Sequence, residues 1–415
     1  MIHVLLNAIS HRKKKCLRCR KQKFNMDENK DPVTVRIDNV LDGLPCTFSK
    51  HSISRVDDDK RKMNQNVYDP RILSIGPFHH GKDQLCKMQQ HKYMYLKLLL
   101  KRRNESTVDK YVAAVRSMEE KARNSYAEPL KFNQDEFVEI LLLDGVFIIE
   151  LLRRIYMFDD DENDIILQRR GIGCQLYHDL LLLENQIPFF ILDHLFNMTK
   201  SQHPDDNIGL LIREFFGEAP HWSDDSGEIL EFSMKDADHL LGVVYENWCS
   251  YKLIEDEEVE VADNINPTSE LQKAGVVFQS DRESMFWDIR FINGVMKIPT
   301  FDVTVDTETL FLNLIAYEDL FPSGRPRYFM DYSFFWSCLI NSSEDVGALR
   351  RCGIINNYLV DDEMVHQMFN RIGSYVSVSF DFSYFDVFHK VNIYYGCRWC
   401  RWMANLKRSF NTLFF

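Results

Sequence analysis

The chain has 415 residues, 45% hydrophobic and 27% charged, with a net charge of −12. That is the composition of a globular protein with a substantial core, and its acidic balance argues against nucleic acid, which needs a cationic face. A membrane span needs about 18 or more mostly apolar residues. Charges interrupt every candidate: Glu139, Asp144 and Glu150 cross Phe137–Leu152, and Glu184 and Asp193 cross Asp179–Phe196.

Residues 1–30 read as a mobile basic leader, in which RKKKCLRCRKQK (residues 12–23) holds eight Lys or Arg. Met1–Ser10 is apolar, but its basic run follows it, the reverse of a secretory signal. The ten cysteines therefore read as reduced thiols. The basic run is a solvated tail or a tag for nuclear import or an anionic surface.

Helical patterning begins near Asp83, where Leu85, Met88, Tyr95, Leu96 and Leu99 repeat at three- and four-residue spacing. A second helix covers about Tyr111–Ala127, with Glu119 and Arg123 at i,i+4 spacing, and Pro129 ends it. FNQDEFVEILLLDGVFIIELLRR (Phe132–Arg154) is apolar nearly all round, the mark of a helix buried on most sides. In DLLLLENQIPFFILDHLF (Asp179–Phe196), Pro188 predicts a break. Proline costs about 3 kcal/mol inside a helix but suits a helix start. A helix ending near Glu184, a joint at Asn185–Gln186 and a second helix from Pro188 to about Phe196 are expected. Buried joints leave backbone groups without partners, and the polar triplet Glu184, Asn185 and Gln186 is expected to satisfy them.

Ser201–Gly227 reads as a polar loop around a short helix, Ile208–Phe216, and Met234–Tyr251 as a further helix. The acidic run EDEEVEVAD (Glu255–Asp263) reads as a solvated linker. Beyond it the period becomes two. Trp287, Ile289 and Phe291 alternate with charged residues, Asn293-Gly294 signals a hairpin, Val295–Ile298 returns, and Phe301, Val303 and Val305 alternate again. This predicts a small antiparallel meander. Asp306 is then expected to cap a helix, with further helices near Tyr332–Ile340, Asp345–Asn356 and Asp361–Arg371. The fold class is α+β, predominantly α-helical: a large helical core with one small sheet.

Chemical constellations are sparse. No P-loop, dinucleotide fingerprint, H-E-x-x-H or G-x-S-x-G occurs. The pairs Cys16/Cys19 and Cys397/Cys400 would hold zinc only if the chain ends met, and incidental thiols are the better reading. His79, His80, Cys86 and His91 cluster within a short stretch, yet without helical i,i+4 spacing. Backbone-bonding imidazoles at a turn fit better than a metal. Asp144, Glu150, Asp179 and Glu184 suggest a buried carboxylate set for acid/base work. No nucleophile accompanies them, and pairing with Arg153, Arg154 and His178 is the favoured reading. No catalytic residue, metal ligand or cofactor is assigned.

Eight blocks, taken together, resemble the hallmark segments of the plant "domain of unknown function 247" family. They are SIGPFHHG (Ser74–Gly81), KARNSYAEPL (Lys121–Leu130), DEFVEILLLDGVFIIELLRR (Asp135–Arg154), DLLLLENQIPFFILDHLF (Asp179–Phe196), IRFINGVMKIPTF (Ile289–Phe301), NLIAYE (Asn313–Glu318), EDVGALRRCGIINN (Glu344–Asn357) and VNIYYGCRWCRWMANL (Val391–Leu406). The resemblance marks Ser74, Gly76, Pro77, His79, His80, Gly81, Asp144, Glu184, Asn185, Gln186 and Pro188 as structural motif residues. It implies a plant protein without established enzymatic activity or cofactor. Some grass members are implicated in pollen–stigma self-recognition, and typical members are anchored in a membrane by a C-terminal hydrophobic segment. Here FSKHS (Phe48–Ser52) intervenes before the Ile53–Val56 block, and the chain stops at SFNTLFF, where the anchor would begin.

The expected organisation is a leader (1–30), one family domain (31–408) and a truncated tail (409–415). The domain divides into a helical core (68–251), an acidic linker (252–268) and a meander with helices (269–408). The expected function is non-enzymatic recognition of an unknown protein partner, as in self-recognition or signalling. No small-molecule substrate is evident, and without its anchor the chain would be cytoplasmic or peripheral. A hydrolase or metal-dependent enzyme using His79, His80, Asp144 or Glu184 is the rival. A nuclear nucleic-acid binder acting through the basic arm ranks last.

Overall fold

The computed structural model describes residues 31–43, 51–156, 164–217, 237–249, 264–282, 284, 286–322, 324–376 and 382–397. The basic leader, the acidic run Glu255–Asp263, Cys400 and the C-terminal tail lie outside the described residues. The chain divides into two units, residues 1–50 and 51–415. In the first, Asp31 accepts the Val33 amide (2.8 Å) at the start of a helix over Pro32–Gly43, which leaves Val33, Val35, Ile37 and Leu41 exposed.

The second unit is built around one helical beam. Helices α1 (Cys86–Arg103) and α2 (Asp109–Arg123) pack on α3 (Gln134–Tyr156). Every residue of α3 from Ile140 to Arg154 is buried, because α5 (Phe189–Thr199) and α6 (Ile208–Phe216) cover its remaining sides. Helix α4 (Arg170–Leu180) precedes α5, and α7 (Leu240–Cys249) bridges α6 to α8 (Thr307–Glu318). Asn207 caps α6 by accepting the Gly209 and Leu210 amides.

The C-terminal half packs α8, α9 (Tyr328–Leu339), α10 (Ser343–Arg351) and α11 (Asp362–Gly373) around aromatic rings. Phe301 stacks on Trp336 with centroids 5.7 Å apart, and Trp336 stacks on Phe369 at 5.6 Å. One continuous apolar cluster joins this half to the α3 beam. The class is therefore α+β and predominantly helical. Among the described residues no helix is long and apolar enough to cross a membrane.

The strands differ from the expected meander. β2 (Arg290–Ile292) and β3 (Val295–Pro299) form the antiparallel hairpin, turned by Asn293 and Gly294 at φ +52° and +85°. β1 (Val277–Asp281) joins β3 on its other edge, in parallel. β4 (Phe301–Val303) does not return to this sheet. It pairs in parallel with β5 (Ile355–Asn357), because the Thr300 hydroxyl and the Phe301 amide reach the Gly353 and Ile354 carbonyls (3.0 and 2.7 Å). The helix expected over Asp345–Asn356 stops at Arg351. Gly353 takes φ +70°, and the Ile354 amide closes back on the Leu349 carbonyl (3.0 Å), freeing the next residues to form β5.

A buried carboxylate ties α8 to α9. Glu318 accepts the Phe329 and Met330 amides at the start of α9 (2.7 and 2.8 Å) and the Tyr245 hydroxyl (2.8 Å). Burial pushes its carboxyl up to about 8 against the pull of those three donors, with Asp331 adding to the rise. The folded chain thus holds this proton where the unfolded chain, titrating near 4.5, has released it. The contribution is full below pH 4.5 and is lost as pH rises through 8, by up to about 1.4 kcal/mol per pH unit. Glu318→Gln should flatten the fall of the urea midpoint across that window, and a parallel fall in the variant would show that other groups cause it.

Candidate functional site

The buried polar residues converge on the segment between α4 and α5. Helix α4 ends at Leu180, earlier than the expected end near Glu184. The side-chain amides that follow it take its terminal carbonyls. Asn185 Nδ2 donates to Asp179 O (2.8 Å), and Gln186 Nε2 donates to Leu180 O and Leu182 O (2.8 and 2.9 Å). A helix end leaves four carbonyls without partners, so these bonds stabilise the stop. Pro188 sits at the N-cap of α5 rather than in its first turn.

The same segment holds a second strip of backbone, residues 71–76, buried from Leu73 onward, which belongs to no sheet. Asp179 accepts the amides of Arg71, Ile72 and Leu73, each at 2.8 Å. Asn185 accepts the Ile75 amide (2.7 Å) and donates to Leu73 O (2.9 Å). Asp144, on α3, accepts the Gly76 amide (2.7 Å) and pairs with Lys92 of α1, which also donates to Ser74 O (2.5 Å). Burial pushes the Asp144 carboxyl up, and Lys92 and the Gly76 amide oppose it. Asn313 of α8 ties the α4–α5 segment to the turn before the strip, accepting from Leu183 N (2.9 Å) and donating to Val67 O (2.8 Å).

Gly76 is the tightest point. Its φ is +69°, and a Cβ there would lie 2.3 Å from the Gln186 carbonyl oxygen, which already accepts the Tyr126 hydroxyl (3.0 Å). Gly81 has φ +80° but open space around it. Gly76→Ala should therefore lose more than the roughly 1–2 kcal/mol of left-handed strain that is all Gly81→Ala incurs. Thermal midpoints of the two variants check this, and equal shifts would mean that the strip moves aside freely.

Glu184 faces the other way. One oxygen accepts the Val56 amide (2.9 Å), and the other meets Arg55 (3.1 Å) and Arg61 (2.6 Å). His79 lies 3.7 Å from both Glu184 and Asp69, beyond hydrogen-bond reach, and neither of its ring nitrogens has a protein partner. Burial and then Lys82 hold its imidazole down at about 3. His239 closes this side: Nε2 donates to Ser52 O (3.1 Å) and Nδ1 accepts the Gly242 amide (3.0 Å).

The carboxylates considered from the sequence thus separate. Glu150 pairs with Arg153 (2.8 Å) and Arg102 (2.7 Å), and Asp179 accepts from His178 Nδ1 (2.9 Å). Arg154 goes to Asp164 (3.1 Å) instead. Of the histidine cluster, His79 is buried, His80 and His91 are half-buried, and Cys86 is exposed and bonds Lys82 O. Pro77 is buried beside Gly76. Among the described residues no group of three His, Cys, Asp or Glu is placed to hold a metal. Lys92, Arg55, Arg61, Asn313 and His239 were missed from sequence. Only Lys92 left a signal: it sits between Met88 and Tyr95 on the apolar stripe of α1, where a lysine needs a buried partner.

Three comparisons bear on identity. The chain is 29% identical to the UPF0481 protein At3g47200 of Arabidopsis thaliana over 374 residues, covering 82% of this chain and 76% of that protein. It is 24% identical to the putative UPF0481 protein At3g02645 of the same plant over 467 residues, covering 89% and 84%. No solved structure matches. The family model described as "plant protein of unknown function", DUF247, matches residues 53–413, a span that takes in the latch at residues 71–76, 144 and 179–188, and the chain belongs to that family.

Proposed function

We propose that this chain is a non-enzymatic recognition protein whose output is the binding of another protein, in self-recognition or signalling at a membrane. One observation carries the reading: the carboxylate and amide side chains of this buried cluster are engaged in holding backbone and neighbouring cations. Asp144, Asp179, Asn185 and Gln186 together bond the two strips 71–76 and 179–186, and Glu184 is held by two arginines and an amide. Groups committed in this way stiffen a frame, and loops carried on a stiff frame are where recognition usually resides.

The contact surfaces under this reading are Ser201–Gly227 and Glu255–Asn266. Exchanging both for the matching segments of a family relative, then comparing the partners captured from the native tissue, tests it. Partner choice should move with the segments. Unchanged partner choice removes the proposal.

A further inference from the structure

The helix over Pro32–Gly43 belongs to the first unit. At 12 residues its length is marginal in water unless something else holds it. Its first turn is well made, with the Asp31 carboxylate on the Val33 amide and a proline where helices favour one. Its outer surface is not suited to water. Val33, Ile37 and Leu41 are 52%, 51% and 59% exposed. Residues advance by about 100° around a helix, so positions four apart share a face, and these three form one apolar stripe. Arg36 and Asp38 fall to its two sides, and Val35, also exposed, lies off it.

The sequence just ahead of this helix supplies a second signal. Residues 12–23 carry eight Lys or Arg and no Asp or Glu, in a chain whose net charge is −12. Only residues 24–30 separate that run from Asp31, and at 3.3–3.6 Å per extended residue they reach no farther than roughly 30 Å. The stripe and the cations therefore meet whatever they bind within one small area. A protein groove could cover the stripe, but it would also need a long acidic extension to match the basic run. Duplex DNA matches the basic run and offers nothing apolar to the stripe. An anionic bilayer presents both at once, charged headgroups in one plane and the acyl boundary just beneath them.

We propose that residues 12–43 dock on an anionic lipid surface, the helix lying in the headgroup layer on Val33, Ile37 and Leu41 and the basic run meeting the lipid charges. The helix is about 18 Å long, short of a hydrocarbon core of roughly 30 Å, so it lies on the bilayer and does not cross it. Three aliphatic side chains hold weakly alone, and stable attachment takes a second signal, here the polybasic run. The inference adds a lipid contact to the recognition reading without resting on its loops: loop exchange can fail while vesicle binding stands, and the reverse.

Co-sedimentation of the full chain with phosphatidylcholine vesicles, made with and without phosphatidylserine, tests it. Affinity should be at least tenfold higher for the anionic vesicles, and high salt should remove most of that difference. Ile37→Gln/Leu41→Gln keeps good helix formers but removes two thirds of the stripe, and it should weaken anionic-vesicle binding tenfold or more. Lys13→Gln/Lys14→Gln/Lys15→Gln, which leaves the stripe intact, should do the same. An unchanged urea midpoint serves as the control for folding, and should one variant fail it, the other variant and the lipid comparison still decide. Equal affinity for the two vesicle types, no binding at millimolar lipid, binding unchanged by the helix variant or by the lysine variant, or tighter binding to duplex DNA than to the anionic vesicles at the same salt each overturns the proposal.

Discussion

Lys92→Met is expected to lower the stability of this protein by about 3–5 kcal/mol near neutral pH, the cost of stripping one partner from a buried ion pair. The ammonium is buried, pairs with Asp144 and holds Ser74 O at 2.5 Å. Methionine matches its length, so the loss is electrostatic rather than a packing defect. Burial already pushes Asp144 up; without Lys92 the folded state should hold a proton there. A raised folded pKa contributes stability below the unfolded value and loses it as pH rises. The variant should therefore recover part of its deficit as pH falls toward the ordinary carboxyl range. The double variant Lys92→Met/Asp144→Asn should regain more than half of the loss at pH 7, because asparagine still offers the Gly76 amide an acceptor without a buried charge. Urea midpoints across pH measure all three. A deficit that is independent of pH, with no recovery in the double variant, would rule out the uncompensated charge as its origin.

Asp179→Ala is expected to cost as much by a different route. Three backbone amides, at Arg71, Ile72 and Leu73, lose their acceptor at once. Leu73 is fully buried and Ile72 half-buried, so water cannot replace the carboxylate at both. At about 1–3 kcal/mol for each buried group left unsatisfied, Ile72 and Leu73 together lose roughly 2–6 kcal/mol. The local signature is as informative as the midpoint: amide hydrogen exchange at residues 71–73 should accelerate far more than exchange within α3. Protection retained at those three amides would mean that another acceptor replaces Asp179.

The helices were largely legible because burial of one face imposes a period on the sequence. The span Ile208–Phe216 matched residue for residue, and Phe132–Arg154 differs from α3 by two residues at each end. The Asn293-Gly294 turn was legible for a related reason, since two successive positive φ angles restrict the residue choice. The partners of β4 and β5 were not. A three-residue strand carries too little pattern to say which edge it meets, and here a threonine hydroxyl and a glycine some fifty residues away decide it.

The sequence by itself determined that the oily runs belong inside, that Pro188 breaks one of them, and that Glu184, Asn185 and Gln186 stand at the break. Those statements follow from local sterics and transfer free energies, which act residue by residue. Only the tertiary structure decided what the polar groups bond. It brought Lys92 to Asp144, Arg55 and Arg61 to Glu184, Asn313 to Leu183 and Val67, and Asp306 to Arg71 in place of its helix cap. Hydrogen bonds and ion pairs act over a few ångströms and ignore distance along the chain, so their partners appear only once packing has brought remote segments together.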